Sequence, residues 1–291
     1  MPLRNLNPHR LESLCYQLMF HRTARVLEHV PLAERTFRVR VECPELAGAI
    51  RPGQFVMLRL PNTTDPLLGR PFALYDTVLD ATGTPVAIDV VYLVVGKMTG
   101  RLKDVLAGEA LEVWGPLGKP FLDVGEPESV ALVAGGIGQT PFLAFARELL
   151  GTRGFGGDAP RARTKSVKLY YGVRSASLAA GIDDFRAAGA EVHLASDDGS
   201  TGTKGFVTQL LESHGRTGPL VGCGPEPMLH ALSKLAAKWD VPCQVSLETP
   251  MACGVGACFS CVTKVRAADG WDYKRVCVDG PCFDAAQLVW E

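Results

Sequence analysis

Apolar and polar residues alternate through the first half of the chain. "TFRVRVEC" (36–43) changes character at nearly every position, the mark of a strand with one buried face. "QFVMLRL" (54–60) and "VAIDVVYLVV" (86–95) are rich in β-branched residues. Pro52-Gly53, Pro61-Asn62 and "ATGTP" (81–85) separate these runs as turns. Six or so short strands between residues 23 and 126 predict a small closed antiparallel barrel. The period then changes. "SVALVA" (129–134), "VKLYYGV" (167–173), "EVHLAS" (191–196) and "PLVGCG" (219–224) are compact apolar runs. They are interleaved with helical patterns such as "PFLAFARELL" (141–150) and "PEPMLHALSKLAAKW" (225–239). Strand alternating with helix predicts a parallel α/β domain over residues 127–247. "GTRGFGGDAPRART" (151–164) interrupts it and reads as a mobile surface loop. Residues 248–291 are glycine- and cysteine-rich and too few to bury a core of their own. Residues 1–22 read as a short leader with one helix and no assigned function.

The 291 residues suit two modest domains with an appendage. Hydrophobic residues make up 47% and charged residues 21%, a globular balance. With a formal net charge of -1 there is no basic field for nucleic acid and no polybasic run for a membrane surface. No stretch reaches the roughly eighteen apolar residues of a membrane span. The N-terminus lacks a signal-peptide pattern, so reduced thiols in a cytoplasm are expected.

That expectation bears on the nine cysteines. Cys15, Cys43, Cys223, Cys243 and Cys282 are scattered. Cys253, Cys258, Cys261 and Cys277 are spaced C-x4-C-x2-C-x15-C. Tetrahedral zinc sites pinch the ion between two C-x2-C knuckles, and only one such pair is present. The spacing is that of a plant-type [2Fe–2S] loop, which must wrap a wider group. Gly254, Gly256, Ala257 and Ser260 are small enough to let backbone N–H groups approach sulfur. Zinc, unligated thiols, and Cys282 as a substitute ligand are the alternatives.

"ALVAGGIGQTPF" (131–142) sets Gly135, Gly136 and Gly138 between a strand and a helix. Thr140 is expected as N-cap and Pro141 as the first helical residue, leaving free N–H groups for a phosphate. A plain tight turn is the alternative. "CGPEPM" (223–228) places Cys223, Gly224 and Pro225 at the end of another strand, where ligands bind open α/β sheets, although a buried cysteine can equally be an apolar filler. Asp197 and Asp198 follow "EVHLA", where a carboxylate can accept from ribose hydroxyls and repel a 2′-phosphate; a solvated turn is the alternative. In the barrel, Arg70-Pro71 can present a fixed cation to a pyrophosphate or a flavin edge. "YLVVGKMTGRL" (92–102) reads as a turn in which Gly96, Thr99 and Gly100, beside Lys97 and Arg101, cradle a phosphate.

Barrel, nucleotide-binding α/β domain and [2Fe–2S] tail, in that order, resemble the electron-transfer subunit of the NAD-dependent dihydroorotate dehydrogenases, within the ferredoxin reductase superfamily. The carrying stretches include "PGQFVMLRL", "DPLLGRPFAL", "AGGIGQTPF", "SDDGSTGTKGFVT", "CGPEPML", "SLETPMACGVGACFSCV" and "RVCVDGPCF". The resemblance implies FAD on the barrel, along Arg70, Pro71, Phe72 and Ala73, with Val91, Tyr92, Leu93, Met98 and Thr99 completing the site. It implies NAD(H) across Gly135, Gly136, Gly138 and Thr140, with Cys223 near the nicotinamide. It implies Cys253, Cys258, Cys261 and Cys277 as cluster ligands. The sequence departs from the family at Ala73, where a hydroxyl residue is usual, and at Met98, where glycine is usual. It departs also at Leu93, where a basic residue is common, at Cys282, usually apolar, and in its longer leader.

NADH carries a hydride and a two-iron cluster takes one electron at a time, so a flavin is expected between them. The implied partner is a dihydroorotate-oxidising catalytic subunit in a hetero-oligomer serving pyrimidine biosynthesis. A ferredoxin, a sulfur-reducing enzyme or a hydrogenase as partner is the alternative, as is a zinc-stabilised nucleotide-binding protein without redox activity. No acid–base pair or nucleophile is expected. His193, His214 and His230 read as surface or packing residues.

Overall fold

A computed structural model describes residues 19–290. The first sheet is antiparallel. Its strands are β1 (Phe20–Ala33), β2 (Thr36–Glu42), β3 (Phe55–Arg59), β4 (Arg70–Ala73), β5 (Asp76–Leu79), β6 (Pro85–Leu93) and β7 (Ala110–Leu117). Their order is β4-β3-β7-β1-β2-β6-β5. The two edges, β4 and β5, are consecutive in the chain and joined by Leu74 and Tyr75. Leu74 donates its N–H to Gln54 O on one side, and Tyr75 donates to Asp89 O on the other. That crossing turns the curved sheet into a barrel around Val26, Val39, Val41, Leu58, Val90 and Leu111.

Strand β1 opens at Phe20, inside the segment read as a leader, because its first residues pair with Gly115 and Trp114 of β7. The helix expected in the leader lies outside the described residues.

The second sheet contains β8 (Ser129–Gly135), β9 (Ser166–Val173), β10 (Glu191–Ser196), β11 (Thr203–Lys204), β12 (Leu220–Cys223) and β13 (Cys243–Ser246). A hairpin of β14 (Val262–Ala267) and β15 (Gly270–Arg275) follows, then β16 (Cys282–Asp284). The second sheet runs β11-β10-β9-β8-β12-β13-β16. All its pairs are parallel except the last, where β16 returns antiparallel to β13. The tail therefore completes the nucleotide-domain sheet.

The short helices α1 (Pro44–Ala49) and α2 (Lys97–Leu102) belong to the barrel. Around the second sheet lie α3 (Phe142–Leu149), α4 (Ile182–Ala187), α5 (Val207–Ser213) and α6 (Glu226–Trp239). Helix α3 is buried nearly all round. Its Phe142 and Phe145 stack on Phe121, at the barrel's exit, with ring centroids 5.8 and 4.4 Å apart. This helix is the wedge between the two halves.

The stretch 151–164 is a clasp and not the free loop expected from its glycines. Phe155 is buried in the barrel core. Arg51 ion-pairs with Asp158 at 2.7 Å, and Arg153 donates to the Thr77 carbonyl. Arg147 and Arg153 both face the buried Asp76, whose carboxyl is pushed up to about 6 by burial, against the pull of the two cations. Glycine supplied the turns, but the side chains of Phe155, Arg51 and Arg153 decided where the segment lies.

Candidate electron-transfer site

The cysteine loop is built against both larger units. Phe55, Met57 and Leu117 of the barrel, Leu229 and Val245 of the nucleotide domain, and Cys261, Val276, Cys277 and Phe283 of the tail form one apolar cluster. Gly254 sits so close to the barrel that a Cβ there would lie 2.8 Å from Met57 Cγ. Gly256 is pressed as closely on Val278, with 2.6 Å to its Cγ2. Both glycines have φ near +75° (74 and 79°), so the loop needs glycine for its path and for its space. Trp114 Nε1 donates to Cys253 O across 3.4 Å, tying the barrel to the loop.

The four thiols arrive as two pairs. Cys258 is within hydrogen-bonding reach of Cys253, and Cys277 within reach of Cys261. Among the described residues, no three or more His, Cys, Asp or Glu side chains converge on one point that could hold a single metal ion. The donors are thiols in a backbone cradle: Val255 N–H points to Cys253 Sγ at 3.4 Å, and the Gly256 backbone bonds Cys277. The pairs differ in environment. Cys258 is exposed, and its bond to Ser260, 3.2 Å from Sγ to Oγ, lowers its thiol to about 6. Cys277 is buried, and desolvation pushes its thiol up to about 12. Four sulfurs in two adjacent pairs, with N–H groups aimed at them, fit a binuclear iron–sulfur group. Cys282, the alternative ligand, faces away: its Sγ lies 3.8 Å from Gly53 O, and burial raises its thiol.

At the carboxyl end of the second sheet the glycine segments meet. A Cβ on Gly138 would lie 2.4 Å from Cys223 O, and one on Gly135 would lie 2.7 Å from Pro225 Cδ. A Cβ on Gly224 would be 2.9 Å from Gly135 N. The structure thus brings together Gly135, Gly138, Cys223, Gly224 and Pro225, with Gly136 at φ 56° at the start of a 3-10 turn over Gly136–Gln139. Thr140 is not the N-cap. It closes that turn, donating its N–H to Ile137 O at 3.1 Å, and Pro141 holds the cap position before Phe142. Thr140 already has helical dihedrals (φ -59°, ψ -38°) as the end of that turn, so it cannot serve as an extended cap and the helix starts one residue later than expected.

Cys223, Ser246 and Cys282 form a row across β12, β13 and β16, in register. Burial raises the Cys223 thiol strongly, so it is a neutral wall and no nucleophile. Just beyond the row stands Glu248, which reaches solvent but is walled by protein, and desolvation pushes its carboxyl up. Gln139 is fully buried, with neither amide atom hydrogen-bonded. Sequence reasoning passed over Gln139, Ser246 and Glu248. Only the strand register and loop packing bring them here.

Asp198 lies at the same sheet edge, past β10. It accepts from Ser200 N at 2.9 Å and Ser200 Oγ at 2.6 Å, bonds that hold its carboxyl below the usual range. It is ionised and exposed, within a stapled turn.

On the barrel, Arg70 begins β4 and is exposed. It donates only to the carbonyls of Leu68 and Gly69, at 3.1 and 3.0 Å, so its charge has no carboxylate partner among the described residues. Phe72 and Tyr92 pack edge-on with centroids 5.8 Å apart, which joins the Arg70–Ala73 stretch to Val91–Leu93. Val91 and Tyr92 are buried, and the Tyr92 hydroxyl bonds His29 Nε2 at 2.9 Å. These two can offer a ligand their backbone only. The phosphate turn is corrected: Lys97–Leu102 is helix α2, Met98 is buried, and Thr99 Oγ1 accepts from Val95 and Gly96 N–H at 3.0 and 3.1 Å. Lys97 pairs with the Asp65 carboxylate, while Arg101 donates to the Asp65 carbonyl and to Thr63 Oγ1.

A barrel, a parallel nucleotide-type sheet and a thiol loop wedged between them make this a ferredoxin reductase-like protein. The structure of an NADH-dependent reduced ferredoxin-NADP oxidoreductase superposes with TM-score 0.77 at 27% identity, over 92% of this chain and 90% of that one. Phthalate dioxygenase reductase shares the fold at TM-score 0.58 and 19% identity, over 89% and 94% of the two chains. A family profile described as the iron-sulfur cluster binding domain of dihydroorotate dehydrogenase B matches residues 248–289. The dihydroorotate dehydrogenase B (NAD(+)) electron transfer subunit of Desulforamulus reducens is 36% identical over 92% of this chain and 98% of its own. That of Caldanaerobacter subterraneus subsp. tengcongensis is 35% identical over the same shares, 92% and 98%. The chain belongs to the family of dihydroorotate dehydrogenase B electron transfer subunits.

Proposed function

We propose that this chain carries electrons between NAD(H) and a dihydroorotate-oxidising catalytic subunit in a hetero-oligomer, in the cytoplasm. The observation that carries this reading is the packing of the thiol loop on the barrel through Met57 and Trp114, while the same tail donates β16 to the nucleotide sheet. One rigid body then holds a one-electron site and a hydride site side by side. When bound, FAD converts between hydride and single-electron transfer, and the [2Fe–2S] cluster relays single electrons.

The chain's own residues position these groups. Residues 20–126 hold the flavin. Arg70 offers it a free cation, while Phe72, Ala73 and the backbone of Val91, Tyr92 and Leu93 line it; Met98 and Thr99 support that wall from behind. Residues 127–247 hold the nicotinamide nucleotide. Gly135 and Gly138 let the loop pack on Pro225 and Cys223, Gly136 faces open space for the nucleotide's approach, Thr140 closes the turn, and Cys223, Gly224 and Pro225 form a neutral floor. Asp198 disfavours a 2′-phosphate by charge. Residues 248–291 would hold the cluster through the thiols of Cys253, Cys258, Cys261 and Cys277. The buried pair faces the barrel cluster of Met57 and Leu117, and Cys258 opens to the surface. No acid–base group is required on this chain.

Among the described residues no helix is long and apolar enough to cross a membrane. The likeness at 27% identity to a ferredoxin-linked oxidoreductase supports a second reading, in which the same relay serves a ferredoxin. The test is a visible and EPR spectrum of anaerobically purified protein, with iron and zinc assays, before and after NADH. Flavin bands and a reduced two-iron signal are expected, followed by dihydroorotate-dependent NAD+ reduction once the catalytic subunit is added. Zinc without flavin overturns the relay. A working relay that ignores dihydroorotate overturns only the partner.

A further inference from the structure

The sites above occupy the carboxyl end of the second sheet. Its opposite end holds a separate open cavity of about 370 Å³, lined by Glu128 and Ser129 at the start of β8, Lys168 and Tyr170 of β9, and His214, Arg216 and Gly218 before β12. Ser129 stands six residues before Gly135, which places the cavity roughly 20 Å from the glycine loop.

The lining is built for an anion. Arg216 reaches only the Asp240 carbonyl, at 3.2 Å, and neither it nor Lys168 is paired with a carboxylate among the described residues. Of the nearby acids, Glu128 lines the cavity and is paired with Lys165 at 2.6 Å, while Glu191 stands cross-strand from Lys168 without forming an ion pair with it. The floor is rigid, since a Cβ on Gly218 would lie 2.1 Å from Ser129 O. One wall is aromatic: Tyr170, His193 and His214 pack with centroids 4.7 to 5.4 Å apart. Tyr170 OH and His214 Nδ1 are 3.1 Å apart, which fixes the imidazole at the rim.

We propose that this cavity binds the phosphate group of a small phosphorylated metabolite. Lys168 and Arg216 bear on the charge, and the Tyr170–His214 wall packs against the organic part. Lys168 and Arg216 play no part in the electron relay.

The test is calorimetric titration of flavin- and cluster-loaded protein with ribose 5-phosphate and, separately, inorganic phosphate, with NAD+ saturating the nucleotide site. Saturable one-to-one binding is expected, with His214 and His193 ring resonances shifting during the titration. The K168A/R216A variant should bind roughly tenfold more weakly or worse, with NADH–ferricyanide turnover unchanged as proof of its fold. Tighter ribose 5-phosphate supports a phosphorylated metabolite; equal affinities support the phosphate subsite and narrow the ligand to phosphate itself. Absence of saturable binding in the wild type, or equal affinity in the variant, overturns the proposal. Because the probes and variants lie outside the electron-transfer site, that result leaves the relay untouched.

Discussion

The barrel and the cysteine tail are ordered by different means. The barrel closes on an apolar interior, from Val26 to Val113, that admits Phe155 from outside, and its strands could be drawn from alternation. The tail has no interior. Its apolar residues are shared out between Met57 and Leu117 on one side and Leu229 and Val245 on the other, and its last strand belongs to another domain's sheet. The lesson is that the electron-relaying segment is positioned by its neighbours. Its geometry relative to flavin and nucleotide is therefore set by packing that also holds the protein together.

The sharpest way to break that contrast is Cys258→Ser. It should abolish cluster absorbance while flavin bands persist, because the barrel does not depend on the tail. A cluster that survives means the exposed thiol is no ligand. Next in size is Met57→Ala, which removes the barrel's contact with Gly254. It should cost about 2–5 kcal/mol in urea unfolding and loosen the cluster. If iron content and NADH-driven cluster reduction are unchanged, the barrel does not seat the loop.

Asp76→Asn probes the joint between barrel and nucleotide domain. Asp76 titrates at about 6 in the folded chain against 3.8 for its ordinary value, so the folded state holds its proton longer. Its contribution to stability is greatest below pH 3.8 and declines as pH rises to about 6. The difference between wild type and D76N in unfolding free energy should move against the wild type by about 3 kcal/mol at most over that window. A pH-independent difference would falsify the assignment. The smallest effect is Asp198→Asn: NADH preference over NADPH should relax by only a few-fold, since Asp198 is exposed and screened. An unchanged ratio of kcat/KM values rejects it as the ribose carboxylate.

Much of this was legible from residues alone. Alternation predicted the strands of the barrel, and the change of period near Glu126 predicted the parallel sheet. The C-x4-C-x2-C-x15-C spacing marked the thiol loop, because ligand spacing is a local property of the chain. Other readings failed where long-range contacts outweighed local preference. Lys97 resembled a phosphate ligand until the Asp65 carboxylate, far off in sequence, paired with it. The segment 151–164 looked free until Phe155 entered the barrel.

What the sequence determined by itself is the kind of element at each stretch and the chemistry it carries: thiols at metal-ligand spacing, glycines after a strand, an arginine before a proline. Tertiary structure alone decided that the thiols gather in two pairs, that Cys223, Ser246 and Cys282 stand in a row, and that Gln139 is buried unpaired. Periodicity and spacing depend on neighbours a few residues apart, which any chain displays. Pairing and burial depend on residues brought together from across the fold, and only the packed structure chooses them.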